Sequence, residues 1–567
     1  MHIQRYNRST KGIQFLSLSI VGGALLATAC DALPGVGADD DAIAASLNAH
    51  RKEATVASPV EDSIDAERGV DDCTGDNIGT PSAAKVDIRS DRGRLSSIAV
   101  GANAAAWDGH LVDRELPELL RNAGLQVLRY PGGSTSDNYH WLSNTPDDPA
   151  QGGTTPSAHF DAYMSVVKAI RAQAMITVNY GSGTAQEAAD WVRYANRGGR
   201  RYSGPVPTYP GASSAGHNYG ITYWEVGNEL YGDGTYGATW EVNHKLHDPT
   251  TYAQGVVSYS AAMKAVDPSI RLGMVLTAPG NWPDGQTSAT SPQPWNDTVL
   301  PIACSAVDFV VLHWYAQGPT GESDAALLAS PQKGESTLVS YTPDIPTMIA
   351  TAKSAIVKYC GAHAAAVQIM VTETDSVSYN PGKQTTSLVN ALFLADQVTT
   401  WLENGVANVD WWAVHNSPFD GNIDPSLYGS YDFGDYGILS AGMTSAKGVV
   451  EPAANTPFPT YYGLQMLSQL YERAGGTMLD VTSSSDLVSI HAVRQGDGSV
   501  NVMLINKDPS VAYNVKVSLP GAALHGTATV MSYGMNSSAI TASHKSVRGS
   551  SFSLAVGPYS MTTIKLP

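Results

Sequence analysis

The chain has 567 residues, 43% hydrophobic and 15% charged, so it can bury a large core with one or two smaller pieces beside it, and it is neither disordered nor fibrous. Thirty-four Lys and Arg against 52 Asp and Glu leave a net charge of −18, which argues against nucleic acid and anionic membrane surfaces as partners. Half of that excess is local: Asp31 to Ala83 holds twelve acidic residues against three basic ones.

Residues 1–30 read as an export signal. Arg5, Arg8 and Lys11 precede the apolar run Ile13 to Leu26, and Ala27-Thr28-Ala29 before Cys30 fits the small-x-small cleavage rule. The run is too short for a membrane-spanning helix and carries Gln14 and Ser17. The mature chain is therefore expected to be secreted or extracytoplasmic. Cys30 directly follows the small residues, as in a bacterial lipoprotein box, although Ala27 stands where Leu is usual. Plain secretion and a lipidated Cys30 are both open, and the latter is the only membrane attachment expected.

From Asp31 to Ala83 neither a helical nor a strand period is present, and the stretch reads as a flexible acidic tether that includes Cys73. From Ala84 strand-like and helix-like runs alternate. The strands are Ile98 to Asn103, Val127 to Tyr130, Met175 to Asn179, Ile221 to Val226, Leu272 to Leu276, Phe309 to Tyr315, Val367 to Thr372 and Val409 to Val414. The helices between them are Leu116 to Asn122, Phe160 to Ala172, Ala185 to Asn196, Tyr252 to Val266, Met348 to Tyr359 and Ser387 to Asn404. A loop carrying Trp282 and Trp295 precedes Phe309. Cys304 and Cys360 close two successive helical stretches and can pair in an oxidising compartment.

Eight such strands fit an α/β fold of the closed (β/α)8 barrel type. An open doubly wound sheet would place a phosphate-binding turn after the first strand, and none is there. Helix Tyr461 to Tyr471 closes the barrel, and after Gly475 short alternating runs read as a C-terminal antiparallel β-sandwich. The barrel is thus assigned to 84–475, with 84–92 free to join the sandwich, and the sandwich to 476–567.

Two carboxylates stand at strand ends, where a barrel builds its active site. Glu229 follows the fourth strand through Gly227-Asn228, and Glu373 follows the seventh. Glycosidic bond cleavage needs such a pair, one acid to protonate the leaving oxygen and one carboxylate to attack or to activate water. Asn228 is placed to bond a sugar hydroxyl, the bland alternative being a loop cap. Arg129, ending the second strand in the barrel mouth, needs a carboxylate partner, and Glu373 is the natural one. His313 and Tyr315 are placed to bond Glu373, Tyr315 with the better reach, while Glu225 is expected to make a structural contact.

Of the eleven tryptophans none lies in the sandwich. Trp191 and Trp401 sit on helices as core. Trp141, Trp240, Trp282, Trp295, Trp314 and Trp412 lie near strand ends, and at least three are expected to pack against sugar rings. Gly232-Asp233-Gly234-Thr235-Tyr236-Gly237 fits GxGxxG, but it follows the fourth strand and runs into Ala-Thr-Trp-Glu, so nucleotide binding is not expected. The chain has no CxxC and no HExxH, hence no signal for zinc.

Together these residues resemble the retaining glycoside hydrolases of clan A, with the closest similarity to the α-L-arabinofuranosidases. Val127 to Gly133 with Tyr139-His140-Trp141, Val178 to Thr184 with Glu187-Ala188 and Trp191-Val192, and Tyr223 to Glu229 carry the resemblance. It implies Glu229 as general acid/base, Glu373 as nucleophile, and Asn228, Arg129 and Tyr315 as their support. The expected substrate-binding or supporting set also includes Asn179, His313, Trp282 and Trp412. No cofactor or metal is implied, and the expected partner is a polysaccharide or oligosaccharide of plant type. Thr372-Glu373-Thr374-Asp375 departs from the family's Asp-Glu-Trp, and Ser134 stands where Cys is frequent; both bear on sugar specificity. The alternatives are an endo-acting clan A glycanase on xylan, mannan or β-glucan, and a non-catalytic polysaccharide-binding protein.

Overall fold

The computed structural model describes residues 79–147, 153–231, 248–285, 293–336, 341–472 and 475–567. The leader at 1–30, Cys30, Cys73, the tether up to residue 78, Trp240 and the Gly232–Gly237 loop lie outside them.

Eight parallel strands close into a barrel in chain order: Val100–Asn103, Val127–Tyr130, Gln173–Val178, Tyr223–Val226, Arg271–Val275, Phe309–Gln317, Gln368–Val377 and Asn408–Trp411. The last returns to the first, with Val409 opposite Val100 and Trp411 opposite Ala102. Period-2 alternation divides their apolar residues between two compartments. Ile98, Val127, Met175, Phe309, Val311 and Met370 fill the barrel interior. Leu128, Ile176, Trp224, Leu272, Val310 and Leu312 face outward into a larger core beneath the helices.

Helix starts follow local chemistry. Thr184 accepts from the N–H of Glu187 ahead of Ala185–Asn196, and Asp248 accepts from Thr250 ahead of Pro249–Val266. Trp295, expected in a loop, is instead the first residue of a helix, Trp295–Ala303, and a further helix spans Asp324–Lys333. Each contains a proline, Pro301 or Pro331, which disfavours helix in any local reading; burial of Val299 and Leu300, or of Leu327 and Leu328, overrides it. Cys304 and Cys360 form a disulfide with Cα atoms 5.5 Å apart.

The C-terminal strands form a β-sandwich in which Val502, Leu504, Val515, Val517, Phe552, Leu554 and Ile564 share one core. The tether reading fails at its C-terminal end. Thr80–Asp87 is a strand of this sandwich, paired in parallel with Tyr513–Ser518 and antiparallel with Asp480–Ser483. Small residues disguise it: Ser82, Ala84 and Val86 alternate inward, and only the last carries a strong apolar signal.

Helix Leu388–Glu403 is buried on every face, between the barrel and the C-terminal elements. That position traps Asp396 and Glu403. His491 of the sandwich lies 2.9 Å from each of them, and Lys507 lies 2.5 Å from Asp396. Burial lowers the His491 pKa, but Glu403 and Asp396 more than offset it and hold the imidazolium up to about 9. A raised folded pKa contributes stability that is full below the unfolded value of about 6.5 and is lost as pH rises through about 9, a span of about 3 kcal/mol. Thermal unfolding from pH 6.5 to 9.5 should therefore show a falling Tm, and His491→Gln should flatten the slope; equal slopes would remove His491 from the linkage.

Candidate active site

The fourth strand ends at Val226, and the next three residues turn the chain sharply. Gly227 has φ of 76°, and Glu229, carrying a side chain, has φ of 46°. A Cβ on Gly227 would sit 3.0 Å from the Cβ of Tyr180, so this turn requires glycine. The turn brings Glu229 Oε1 within 2.8 Å of His313 Nδ1. His313 Nε2 lies 3.2 Å from Thr372 Oγ1 on the seventh strand.

Glu373 enters from that seventh strand through a β-bulge. The register against the sixth strand slips between Val371 and Glu373, which then lies opposite His313. A regular strand would send Thr372 and Glu373 to opposite faces; the bulge lets both reach side chains of the sixth strand. The Tyr315 hydroxyl donates to Glu373 Oε1 at 2.6 Å, and Arg129 Nη1 donates to Oε2 at 3.2 Å.

Arg129 is fully buried and has four acceptors. Its Nε donates to Glu225 at 2.7 Å, Nη1 to Asn103 at 2.9 Å as well as to Glu373, and Nη2 to Asn228 Oδ1 at 2.8 Å. Its closest ion pair is thus with Glu225, which also accepts from Thr177, and Glu373 is the second partner. Glu225 is the structural acid. Burial alone would lower the Arg129 pKa, but Glu225 and Glu373 raise it above the ordinary value.

His313 differs from expectation. Its hydrogen bond goes to Glu229, and Glu373 Oε2 is 3.8 Å away. The one nitrogen His313 Nδ1 thus faces both acids, and an oxygen of Glu229 lies within 4.8 Å of one of Glu373. Glu229, His313 and Glu373 are the one trio among the described residues spaced to ligate a cation. The Arg129 guanidinium beside Glu373 opposes a second positive charge there. Burial pushes the Glu373 carboxyl above its usual range, against the pull of His313; Glu229 adds to the rise, and Arg129 and Tyr315 also counter it.

Two further residues escaped the sequence reading. Tyr231, two positions past Glu229, is buried with its hydroxyl hydrogen-bonded to Glu229; burial first, and then the charges of Glu229 and Glu373, hold the phenol well above its ordinary pKa. A tyrosine so close in sequence to a strand-end acid was the available signal. Asp137, buried in the turn after the second strand, accepts from the N–H of Asn228 at 2.8 Å.

Asn179 does not reach either acid. Its side-chain oxygen accepts from the N–H groups of Ser182 and Gly183, and its amide donates to Tyr139 O and Ser182 Oγ. It is therefore a loop-building residue.

Of the six tryptophans expected at sugar-facing positions, three are core and Trp240 lies outside the described residues. Trp141 stacks on Trp191 with centroids 5.8 Å apart, Trp295 packs on Tyr252 at 5.2 Å, and Trp314 meets Trp401 edge-on at 5.5 Å. Trp282 and Trp412 remain. Trp282 is 57% exposed on the loop after the fifth strand, next to Asn281, whose amide donates to the Tyr315 carbonyl. Trp412 is half-buried at the end of the eighth strand, against the turn after the second. A Cβ on Gly133 there would come within 2.8 Å of its ring.

No family model matches the chain. It is 28% identical over 219 residues to a protein described as probable alpha-L-arabinofuranosidase C of Aspergillus fumigatus, covering 36% of this chain and 41% of that one. Against an intracellular exo-alpha-(1->5)-L-arabinofuranosidase of Acetivibrio thermocellus the identity is 30% over 212 residues, covering 36% and 38%. The chain thus spans about two-fifths of the length of these relatives. Among solved structures, the alpha-L-arabinofuranosidase of Thermotoga maritima in complex with arabinose superposes with a TM-score of 0.60 at 18% identity, over 85% of this chain and 99% of that one. At that identity the likeness establishes a shared fold.

Proposed function

We propose that the protein is a retaining glycoside hydrolase that releases α-L-arabinofuranosyl residues from plant-type polysaccharide. The observation that carries this reading is the spacing of the two acids, whose nearest oxygens lie within 4.8 Å. Retaining enzymes hold their carboxyl groups about 5–5.5 Å apart, and inverting ones about 6.5–9.5 Å apart to fit a water between them. The arabinofuranosidase relatives support the choice of sugar.

The surroundings divide the roles. Two carboxylates this close do not both ionise cheaply, so the pair holds one proton over much of its range. Each acid accepts from a phenol, Glu229 from Tyr231 and Glu373 from Tyr315, but the permanent charge of Arg129 on Glu373 counters the burial of that carboxyl and favours the negative charge there and the proton on Glu229. In the first step a Glu373 oxygen bonds to the anomeric carbon. The glycosidic C–O bond breaks, and Glu229 gives its proton to the leaving oxygen. In the second step Glu229 takes a proton from water as the water oxygen bonds to the same carbon and Glu373 departs, which regenerates both groups. Asn228 Oδ1 accepts from Arg129, and its NH2, 3.5 Å from Ser134 Oγ, is the group that bonds a sugar hydroxyl in this reading.

A panel of nitrophenyl glycosides and of arabinan, arabinoxylan, xylan, mannan and β-glucan tests the assignment. Hydrolysis of the α-L-arabinofuranoside with release of arabinose is the expected result. Internal cuts in xylan, mannan or β-glucan without arabinofuranoside hydrolysis would replace it with an endo-glycanase, and retention of polymer without turnover with a binding protein.

We further propose that the chain works outside the cytoplasm, either freely secreted or anchored through a lipidated Cys30. The export-type composition of residues 1–30 and the Cys304–Cys360 disulfide support this. Labelled palmitate in the wild type and not in Cys30→Ser identifies the anchor; labelling of neither identifies free secretion.

A further inference from the structure

We propose that Asp137 is the positioning residue that sets Glu229 for proton transfer, its buried carboxylate tying the turns after the second, third and fourth barrel strands into one unit. The inference rests on the glycosidase reading above and concerns the geometry of its acid.

Asp137 lies in the turn Gly133–Asn138 and is completely buried. Its Oδ2 accepts from the N–H of Asn228 at 2.8 Å, and its Oδ1 from the N–H of Tyr180 at 3.2 Å, with the Gly181 N–H as a third donor. Its own carbonyl accepts from the N–H of Ser182 at 3.0 Å. One side chain therefore satisfies main-chain donors on two other loops, groups that would otherwise be buried without acceptors.

The consequence falls on Glu229. A non-glycine residue at φ of 46° sits in a sparsely populated region that costs about 1–3 kcal/mol and persists only where its neighbours fix it. Asn228, immediately before it, is fixed at both ends: its main chain by Asp137 and its side chain by the Arg129 guanidinium. The chain also passes directly against the Asp137 carboxylate, since a Cβ on Gly227 would lie 3.2 Å from Oδ1. Asp137 thus acts on Glu229 through the intervening peptide. Without it the turn relaxes, and the carboxyl of Glu229 moves off the line to the leaving oxygen while Glu373, held independently by Tyr315 and Arg129, keeps its place.

The test uses the full chain and the glycoside best hydrolysed in the panel above, prepared as an aryl series of decreasing leaving-group acidity. Asp137→Ala removes the carboxylate. Asp137→Asn keeps its shape and one acceptor oxygen but turns an NH2 toward a main-chain donor. Both variants are measured beside Glu229→Ala, with Tm as the check on folding. With Asp137 as the positioning residue, kcat on the poorest leaving groups falls about 10–100-fold, kcat on the most activated changes by less than about threefold, and KM stays within about threefold. A merely structural residue would lower all rates together. An equal loss across the series, wild-type rates throughout, or failure of both variants to fold would each overturn the proposal. If Glu229→Ala shows a leaving-group dependence and the Asp137 variants do not, this inference alone fails. If Glu229→Ala shows none, the acid assignment fails and this inference with it.

Discussion

Glu373→Ala lowers kcat on every hydrolysed glycoside by on the order of 10⁴-fold, whatever the leaving group, because the first bond of the double displacement can no longer form. The fold survives the change. Arg129 keeps its closest ion pair with Glu225 and its bonds to Asn103 and Asn228, so no buried guanidinium is left unpaired. Only the Tyr315 hydroxyl and one N–H of Arg129 lose an acceptor, at a cost of about 1–3 kcal/mol. Tm should fall by a few degrees while substrate affinity, read as KM, changes little. Turnover within tenfold of wild type on any substrate would remove Glu373 as the nucleophile.

Glu229→Ala has a different signature, since its proton is needed in proportion to the basicity of the departing oxygen. Natural and alkyl glycosides should lose about 10²–10⁴-fold in kcat, while nitrophenyl glycosides retain most of their first-step rate. Glu229 also activates the water of the second step, so the variant should accumulate glycosyl-enzyme and show a burst of nitrophenol before a slow steady state. A uniform loss across leaving groups, with no burst, would contradict the acid/base role. Removing the side chain also frees His313 and the Tyr231 hydroxyl of a partner on the site wall, which is a local change.

The barrel was legible because each strand carries a period-2 or fully apolar run bounded by turn residues, and because active-site acids in this architecture follow strand ends. That rule pointed to Glu229, Glu373, Arg129, His313 and Tyr315; in the folded chain strand alternation sets His313 and Tyr315 on one face. The same alternation sends Trp314, between them, to the opposite face, where it packs on Trp401; proximity to a strand end was the weaker guide. Trp141 and Trp295 show the same limit, since the direction of an aromatic side chain depends on the cluster it joins and not on its distance from a strand. The bulge at Thr372 left no mark in the sequence: an extra residue in a buried β-branched run looks like any other, yet it decides which side chains line the mouth. His313 bonds Glu229 from the sixth strand to the turn after the fourth, a relation between residues 84 positions apart in the chain. Asp137 was illegible for the opposite reason. It sits in a polar turn where Asp is ordinary, and only the folded chain brings the backbone of Asn228 to it.

The two-acid account stands on one stereochemical consequence. Two successive displacements at the anomeric carbon, the first by Glu373 and the second by water, return the sugar in its starting configuration. Proton NMR of the product in the first minutes of hydrolysis, before mutarotation, reads that configuration directly. The account predicts the anomer of the substrate; the opposite anomer would mean a single displacement by water and would contradict a covalent role for Glu373.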